Sequence, residues 1–314
     1  MQGESTGMNT TQYAKLLSAA DLNDVRAQHL IETAELAERI AANDPLLRVV
    51  DLRGFVRVQT EANGKQTADY LGAQEEYAKA HIPGAVYLDW TTDIADEYDP
   101  IPAQAAPPDK LARVLGQAGI GDTCQIVAYD AHPASQFATR FWWLLRYYGH
   151  QNVRVLNGGW AKWNREGRET TAELPHFSPT VFTPVPNPEW RMTVEQVQSI
   201  LGDPSVTLID ARDEGQYTGK IVRGTRGGHI PGARHLSREA LIGDDGTFRT
   251  PGELQSVVEV SGVAPEKRTV AYCNGGVAAT SVLFALSMLG HTQLTNYDGS
   301  WNEWNERPDL PIEV

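Results

Sequence analysis

The chain is written twice, and that duplication limits its fold more than any other feature. RVVDLRG around Asp51 returns as TLIDARD around Asp210, and HIPGAVYLDW from His81 returns as HIPGARHLSR from His229. IVAYD ending at Asp130 returns as TVAYC ending at Cys273, and GHQNVRVLNGGWAKW returns as GHTQLTNYDGSWNEW. Even the lead-ins TAELAERIAAND and TVEQVQSILGDP agree, each reading as a Thr-capped amphipathic helix. The offset between matched residues shrinks along the chain. It is 159 from Asp51 to Asp210, 148 from His81 to His229, 143 from Asp130 to Cys273 and 141 from Trp160 to Trp301. The first copy therefore holds extra residues. The largest excess falls in VRVQTEANGKQTADYLGAQ, a polar stretch that reads as an inserted loop or hairpin.

Short β-branched runs alternate with helical runs in both copies, the pattern of a parallel sheet flanked by helices. The proline-rich stretch around ELPHFSPTVFTPVPNPEW reads as an extended linker between them. The predicted layout is a tail over residues 1–27, one domain over 28–173, a linker over 174–188 and a second domain over 189–314. A formal net charge of −13 argues against nucleic acid or an anionic membrane as partner. The N-terminus lacks the basic and apolar regions of a secretory signal, and no run approaches membrane-spanning length. With only two cysteines, a disulfide framework or a cysteine metal cluster is not expected, and a cytoplasmic location is.

Of those two cysteines, Cys273 carries the chemistry. RTVAY reads as a buried strand, CNGG as a tight loop, and VAATSVLFALSML as an apolar helix stopping at Gly290. A thiol there faces successive backbone N–H groups and the positive end of a helix, both of which stabilise a thiolate. Gly275 and Gly276 let the loop curl into an anion-binding nest. Ligands of such sheets bind beyond the carboxyl ends of the strands, where Cys273 lies. Cys124 opens the run CQIVAYD with no glycine loop behind it and reads as a small buried apolar residue.

Paired DxR, HIPGA and Gly-(Gly/Ser)-Trp-x-x-Trp motifs, with one cysteine loop in the second copy, resemble the tandem-domain rhodaneses, the thiosulfate and 3-mercaptopyruvate sulfurtransferases. The resemblance runs from about residue 28 to the C-terminus. It implies an α/β fold of two tandem rhodanese-like domains, each a mainly parallel sheet flanked by helices. It also implies a non-catalytic first domain, with Asp130 at the cysteine position, and a catalytic second domain. The implied reaction is attack of the Cys273 thiolate on the outer sulfur of a small anionic donor, either thiosulfate or 3-mercaptopyruvate. A Cys273 persulfide then passes its sulfur to cyanide, a thiol or a dithiol protein, with no metal or organic cofactor. The cradle for the sulfur would be Asn274, Gly275, Gly276, Val277 and Ala278. Related cysteine phosphatases hold phosphate with a Cys-x5-Arg loop, but that position is Ala279 here, so phosphoryl transfer is not expected.

The loop departs from both halves of the family. It lacks the cations of thiosulfate-preferring members and the serine of mercaptopyruvate-preferring ones, and its neutral glycine-rich character lies nearer the second group. Gln216 stands near the place of a family arginine. Of the cations that follow, Arg226 and then Arg223 are the expected ligands of the donor anion. Phe137 lies where the family places an apolar residue at the active-site entrance, and His132 beside Asp130 could face the same cleft. His81 and His229, kept in both copies, read as turn braces, Asp210 and Arg212 as a structural ion pair like Asp51 and Arg53, and the repeated tryptophans as core. One of Trp142 and Trp143 should pack inward. The rival to an enzyme is a sulfur-carrier or redox-sensing binding module that presents Cys273 to a protein partner.

Overall fold

A computed structural model of the chain describes residues 18–62 and 65–314. The strands are β1 (Leu30–Ile31), β2 (Leu47–Asp51), β3 (Gly54–Thr60), β4 (Lys65–Gly72), β5 (Ala85–Tyr87), β6 (Gln125–Tyr129) and β7 (Val153–Leu156) in the first copy. The second copy supplies β8 (Arg191–Met192), β9 (Val206–Asp210), β10 (Val222–Arg223), β11 (Arg234–His235), β12 (Arg268–Tyr272) and β13 (Leu294–Tyr297). Two five-stranded sheets result, ordered β1-β7-β6-β2-β5 and β8-β13-β12-β9-β11, and every pairing in both is parallel. The two orders are the same once each strand is matched to its repeat. Asp130 and Cys273 each follow the central strand, β6 and β12.

The polar insert is a hairpin. β3 and β4 pair antiparallel from Gly54↔Gly72 to Thr60↔Gln66. β4 then pairs in parallel with β10 of the second copy, Lys65 beside Val222 and Gln66 beside Arg223. Residues inserted in one repeat thus bridge to the other, forming a third sheet over the carboxyl end of β12.

The copies share a core. The helices that follow the two loop positions, Gln136–Tyr147 and Ala279–Met288, pack on each other, and one apolar cluster contains side chains of both. Thr139 Oγ1 lies 3.1 Å from both Thr280 Oγ1 and Ser281 Oγ, so the small polar groups of that face satisfy one another. Burial on all sides explains why Trp142 and Trp143 are both fully buried, where only one was expected to turn inward. Trp142 packs edge-on against Phe284, while Trp143 stacks on Tyr147 and donates to the Trp190 carbonyl.

Three further expectations change. The helix Thr33–Ala41 starts after Glu32 with no side-chain cap, because the Thr33 hydroxyl donates to Glu166 instead; Thr193 does cap its helix, in a capping box with Gln196. The tail predicted over residues 1–27 lies outside the described residues up to 17, but residues 19–27 belong to a helix, Ala19–His29, capped by a Ser18–Asp21 box. Its Arg26 donates to the carbonyls of Phe248 and Arg249, pinning it to the second copy. The proline-rich segment is extended, and it is laid along the first copy: Thr180 and Val185 donate to the carbonyls of Gly116 and Tyr148, and Phe182 is buried. No helix among the described residues is long and apolar enough to cross a membrane.

Candidate functional site

Cys273 is 3 % exposed at the end of β12, at the base of a cavity of about 550 Å³. Ser300 Oγ accepts from its backbone N–H, and its carbonyl accepts from the Trp301 N–H, so the GSW motif holds the cysteine backbone. Ser300 takes a left-handed conformation (φ 54°), which turns the chain back toward the loop. Of the two loop glycines only Gly276 has positive φ, 71°, and a Cβ there would lie 2.6 Å from the Asp298 carbonyl oxygen. Gly276 therefore meets two constraints that only glycine satisfies.

The two copies treat this nest differently. In the first copy Asp130 fills it with its own carboxylate, which accepts from the N–H groups of His132, Phe137 and Ala138 at 2.7–2.8 Å. Burial pushes Asp130 up to about 7 even against those three donors. In the second copy, among the described residues, none of the 274–278 N–H groups donates to a protein acceptor. Cys273 is thus faced by a loop of unclaimed donors, the arrangement that binds anions.

Side chains from both copies wall the cavity. The loop contributes Asn274, Gly275, Val277 and Ala278, and the second copy adds Asp213, Gln216, Arg223 and Arg238. The first copy contributes Phe55, Val56, Val58, Gln66 and Tyr70 from the hairpin, and His132, Pro133 and Gln136 from the Asp130 loop. Where a family arginine was expected, Gln216 links three amides: Asn274 Nδ2 donates to Gln216 Oε1 at 2.9 Å, and Gln216 Nε2 donates to Gln66 Oε1 at 3.2 Å.

The two arginines expected to hold the donor anion part company. Arg223 lines the cavity, is only 8 % exposed and donates to the Tyr70 hydroxyl at 3.0 Å, with no carboxylate in ion-pair range among the described residues. Arg226 does not line the cavity. Its guanidinium donates to four backbone carbonyls, those of Trp304, Asn305, Arg307 and Leu310, and so ties down the C-terminal segment. Phe137 also lies off the cavity wall, fully buried with its ring centroid 4.6 Å from that of Trp90. Gly276 lies behind the cavity wall, against Asp298. His132 does reach the cavity, and burial, aided by Arg238, drives it down to about 4, so its ring is neutral near pH 7.

The hairpin residues and Arg238 were not singled out from the sequence. A V-x-V alternation in the insert was the available signal for the first, since it puts Val56 and Val58 on one face. Nothing in the spacing marks Arg238, whose Nε is buried without a partner among the described residues while its tip pairs with Glu239 at 2.9 Å.

Behind the site the repeated motifs act as matched braces. Arg53 and Arg212 pair with Asp51 and Asp210 at 2.7 and 2.6 Å, and Tyr129 and Tyr272 donate to the same carboxylates. Trp160 and Trp301 lie about 4 Å under the two guanidiniums. His81 and His229 each bond a tyrosine carbonyl through Nδ1 and stack on that tyrosine ring. One brace crosses between the copies: Arg140 pairs with Asp298 at 2.6 Å, donates to the Gly276 carbonyl at 3.2 Å, and is 2 % exposed.

Residues 32–166 and 193–307 each match the Rhodanese-like domain family. The 3-mercaptopyruvate sulfurtransferase of Escherichia coli K12 is 32 % identical over 88 % of this chain and 95 % of its own length. The thiosulfate sulfurtransferase of Bos taurus is 31 % identical over 91 % and 95 %. The crystal structure of Escherichia coli SseA, a 3-mercaptopyruvate sulfotransferase of rhodanese fold, superposes with a TM-score of 0.75 at 28 % identity, covering 87 % of this chain and 98 % of that one. The chain belongs to the rhodanese family and is a sulfurtransferase.

Proposed function

We propose that the second copy, residues 189–314, is the catalytic domain and that Cys273 is its nucleophile, moving sulfane sulfur from thiosulfate or 3-mercaptopyruvate to a thiophilic acceptor. The observation that carries this reading is the contrast between the two nests: Asp130 satisfies its own donors, whereas the donors around Cys273 have no protein acceptor among the described residues. The Cys273 thiolate attacks the outer sulfur of thiosulfate or the thiol sulfur of 3-mercaptopyruvate, and the S–S or C–S bond that held it breaks, its electron pair leaving on sulfite or on the enolate of pyruvate. The Cys273 persulfide then lies against the N–H groups of residues 274–278. Arg223 supports the reading from the cavity wall, as a buried cation without a carboxylate partner among the described residues, suited to the donor's anionic group. Cyanide, a thiol or a dithiol protein takes the sulfur in the second half-reaction.

The amide chain through Gln216 puts neutral donors where a fixed charge would favour a dianion, and this favours a monocarboxylate such as 3-mercaptopyruvate over thiosulfate. Intact mass after incubation with each donor tests the scheme. The wild type should gain one sulfur atom, with 3-mercaptopyruvate the better donor, and the Cys273→Ser variant should gain none. An unmodified wild type with both donors would sink the proposal. A persulfide that forms but turns over with no small acceptor would instead favour a sulfur carrier.

A further inference from the structure

The cavity is larger and more apolar than either sulfur donor needs. Its volume of about 550 Å³ lies in the range that takes a drug-sized molecule, whereas the donors are small polar anions. The excess comes from the hairpin. β3 and β4 put Val56 opposite Tyr70, and Val58, two residues on, shares the face of Val56. Val56, Val58 and Tyr70 all line the cavity, yet Val58 keeps 46 % of its surface exposed, as Phe55 at the strand's start keeps 47 %. Apolar surface left open in the same cavity as a nucleophile gains nothing from a hydrated anion, but it does gain from an apolar ligand. Pinning of β4 to β10 fixes that wall relative to Arg223 and Cys273.

We propose that this wall is an acceptor subsite for a small organic thiol with an aromatic or branched alkyl body. The proposal rests on the Cys273 persulfide. The body lies on Val56, Val58 and Tyr70 while its sulfur points at Cys273. The acceptor thiolate attacks the outer sulfur of the persulfide and a new S–S bond forms. The Cys273 S–S bond breaks, its electron pair stays on Cys273 Sγ as thiolate, and the acceptor leaves as an organic persulfide. The transferred sulfur keeps its oxidation state, so no oxidant or reductant is consumed.

Phenylmethanethiol and 2-mercaptoethanol are similar in thiol basicity and differ in body, so their rates of discharging a preformed persulfide isolate the wall. Phenylmethanethiol should be faster in kcat/KM by about 10-fold or more. The Val58→Ser change should shrink that ratio several-fold, while Arg57→Ser, on the opposite face of the same strand, should leave it. Binding of phenylmethanol to the unmodified protein, followed by saturation-transfer NMR, tests the same wall without sulfur chemistry, and it too should weaken in Val58→Ser. Equal discharge rates, or phenylmethanol binding untouched by Val58→Ser, would overturn the subsite. If no persulfide forms at all, the Cys273 reading fails and the phenylmethanol experiment alone decides the wall.

Discussion

Asp130 and Cys273 follow the same central strand in two copies of one fold, and their neighbours show what each change of residue requires. A carboxylate in the first nest takes three N–H groups and closes it; a thiol in the second leaves the loop donors without a protein acceptor among the described residues. The open loop must then be held by something other than its own occupant. Arg140 does that from the other copy, through Asp298 and the Gly276 carbonyl. Replacing Arg140 with Met should cost about 3 kcal/mol, because it leaves the buried Asp298 carboxylate with the partly exposed Arg191 and the Ala105 N–H as its side-chain partners among the described residues. It should also slow persulfide formation in the fraction that still folds, read by urea unfolding alongside single-turnover mass analysis. Arg223→Gln removes charge from the cavity wall instead of a brace. A charge-assisted hydrogen bond of about 1.5–3 kcal/mol corresponds to a rise in donor KM of roughly 10-fold or more, with little change in Tm. Unchanged KM for both donors would remove Arg223 from donor binding.

At the scale of elements, the hairpin decides the shape of the cavity, and its anchoring is tight at both ends. Gly54 and Gly72 pair across its base, against Trp90 and Asp89. A Cβ on Gly72 would lie 2.0 Å from Asp89 Oδ2 and 2.7 Å from the Tyr87 hydroxyl, which accepts from the Ala73 N–H at 2.7 Å. Gly72→Ala should therefore destabilise by about 1–3 kcal/mol in urea unfolding and shift the hairpin, raising KM for the acceptor before that for the donor. Elements like these show where the sequence was readable. Strand β12, the loop and the helix behind it follow from apolar runs and glycine punctuation, which are local signals. Arg226 misled because an arginine beside a motif looks the same whether it meets a ligand or four backbone carbonyls; only the fold of residues 304–310 over it decides. The helix Ala19–His29 was passed over for a different reason. Its apolar residues form no clear stripe, and its capping box, Ser18 with Asp21, was the one local sign of a start.

Across the whole molecule, the shared core makes the two copies one folding problem, because the helix Ala279–Met288 is buried along its full length and has its cover partly in the first copy. Ionisable groups trapped by that packing set the pH response. His29 lies with its ring about 6 Å from those of Trp142 and Phe284, and burial drives it down to about 4. Burial drives His132 and His291 to about 4 as well. A histidine lowered in the folded state binds fewer protons than in the unfolded chain, where the ordinary value is 6.5. Stability is then whole above about 6.5 and is lost as pH falls toward 4. Asp130 works the other way. Raised to about 7 from 3.8, it binds more protons when folded, so its term weakens stability as pH rises from 4 to 7. Burial lowers His150 as well and raises Asp93 and Glu303, so four histidines oppose three carboxyls, and the net expectation is an acid-labile protein whose unfolding free energy drops between pH 6.5 and 4.5. His29→Asn should flatten that slope by roughly 2–3 kcal/mol over the interval, since it removes one of the depressed histidines. Urea unfolding at the two pH values, for wild type and variant, measures it. A wild type equally stable at both, or a variant with an unchanged slope, would mean that His29 is solvated enough to protonate in place.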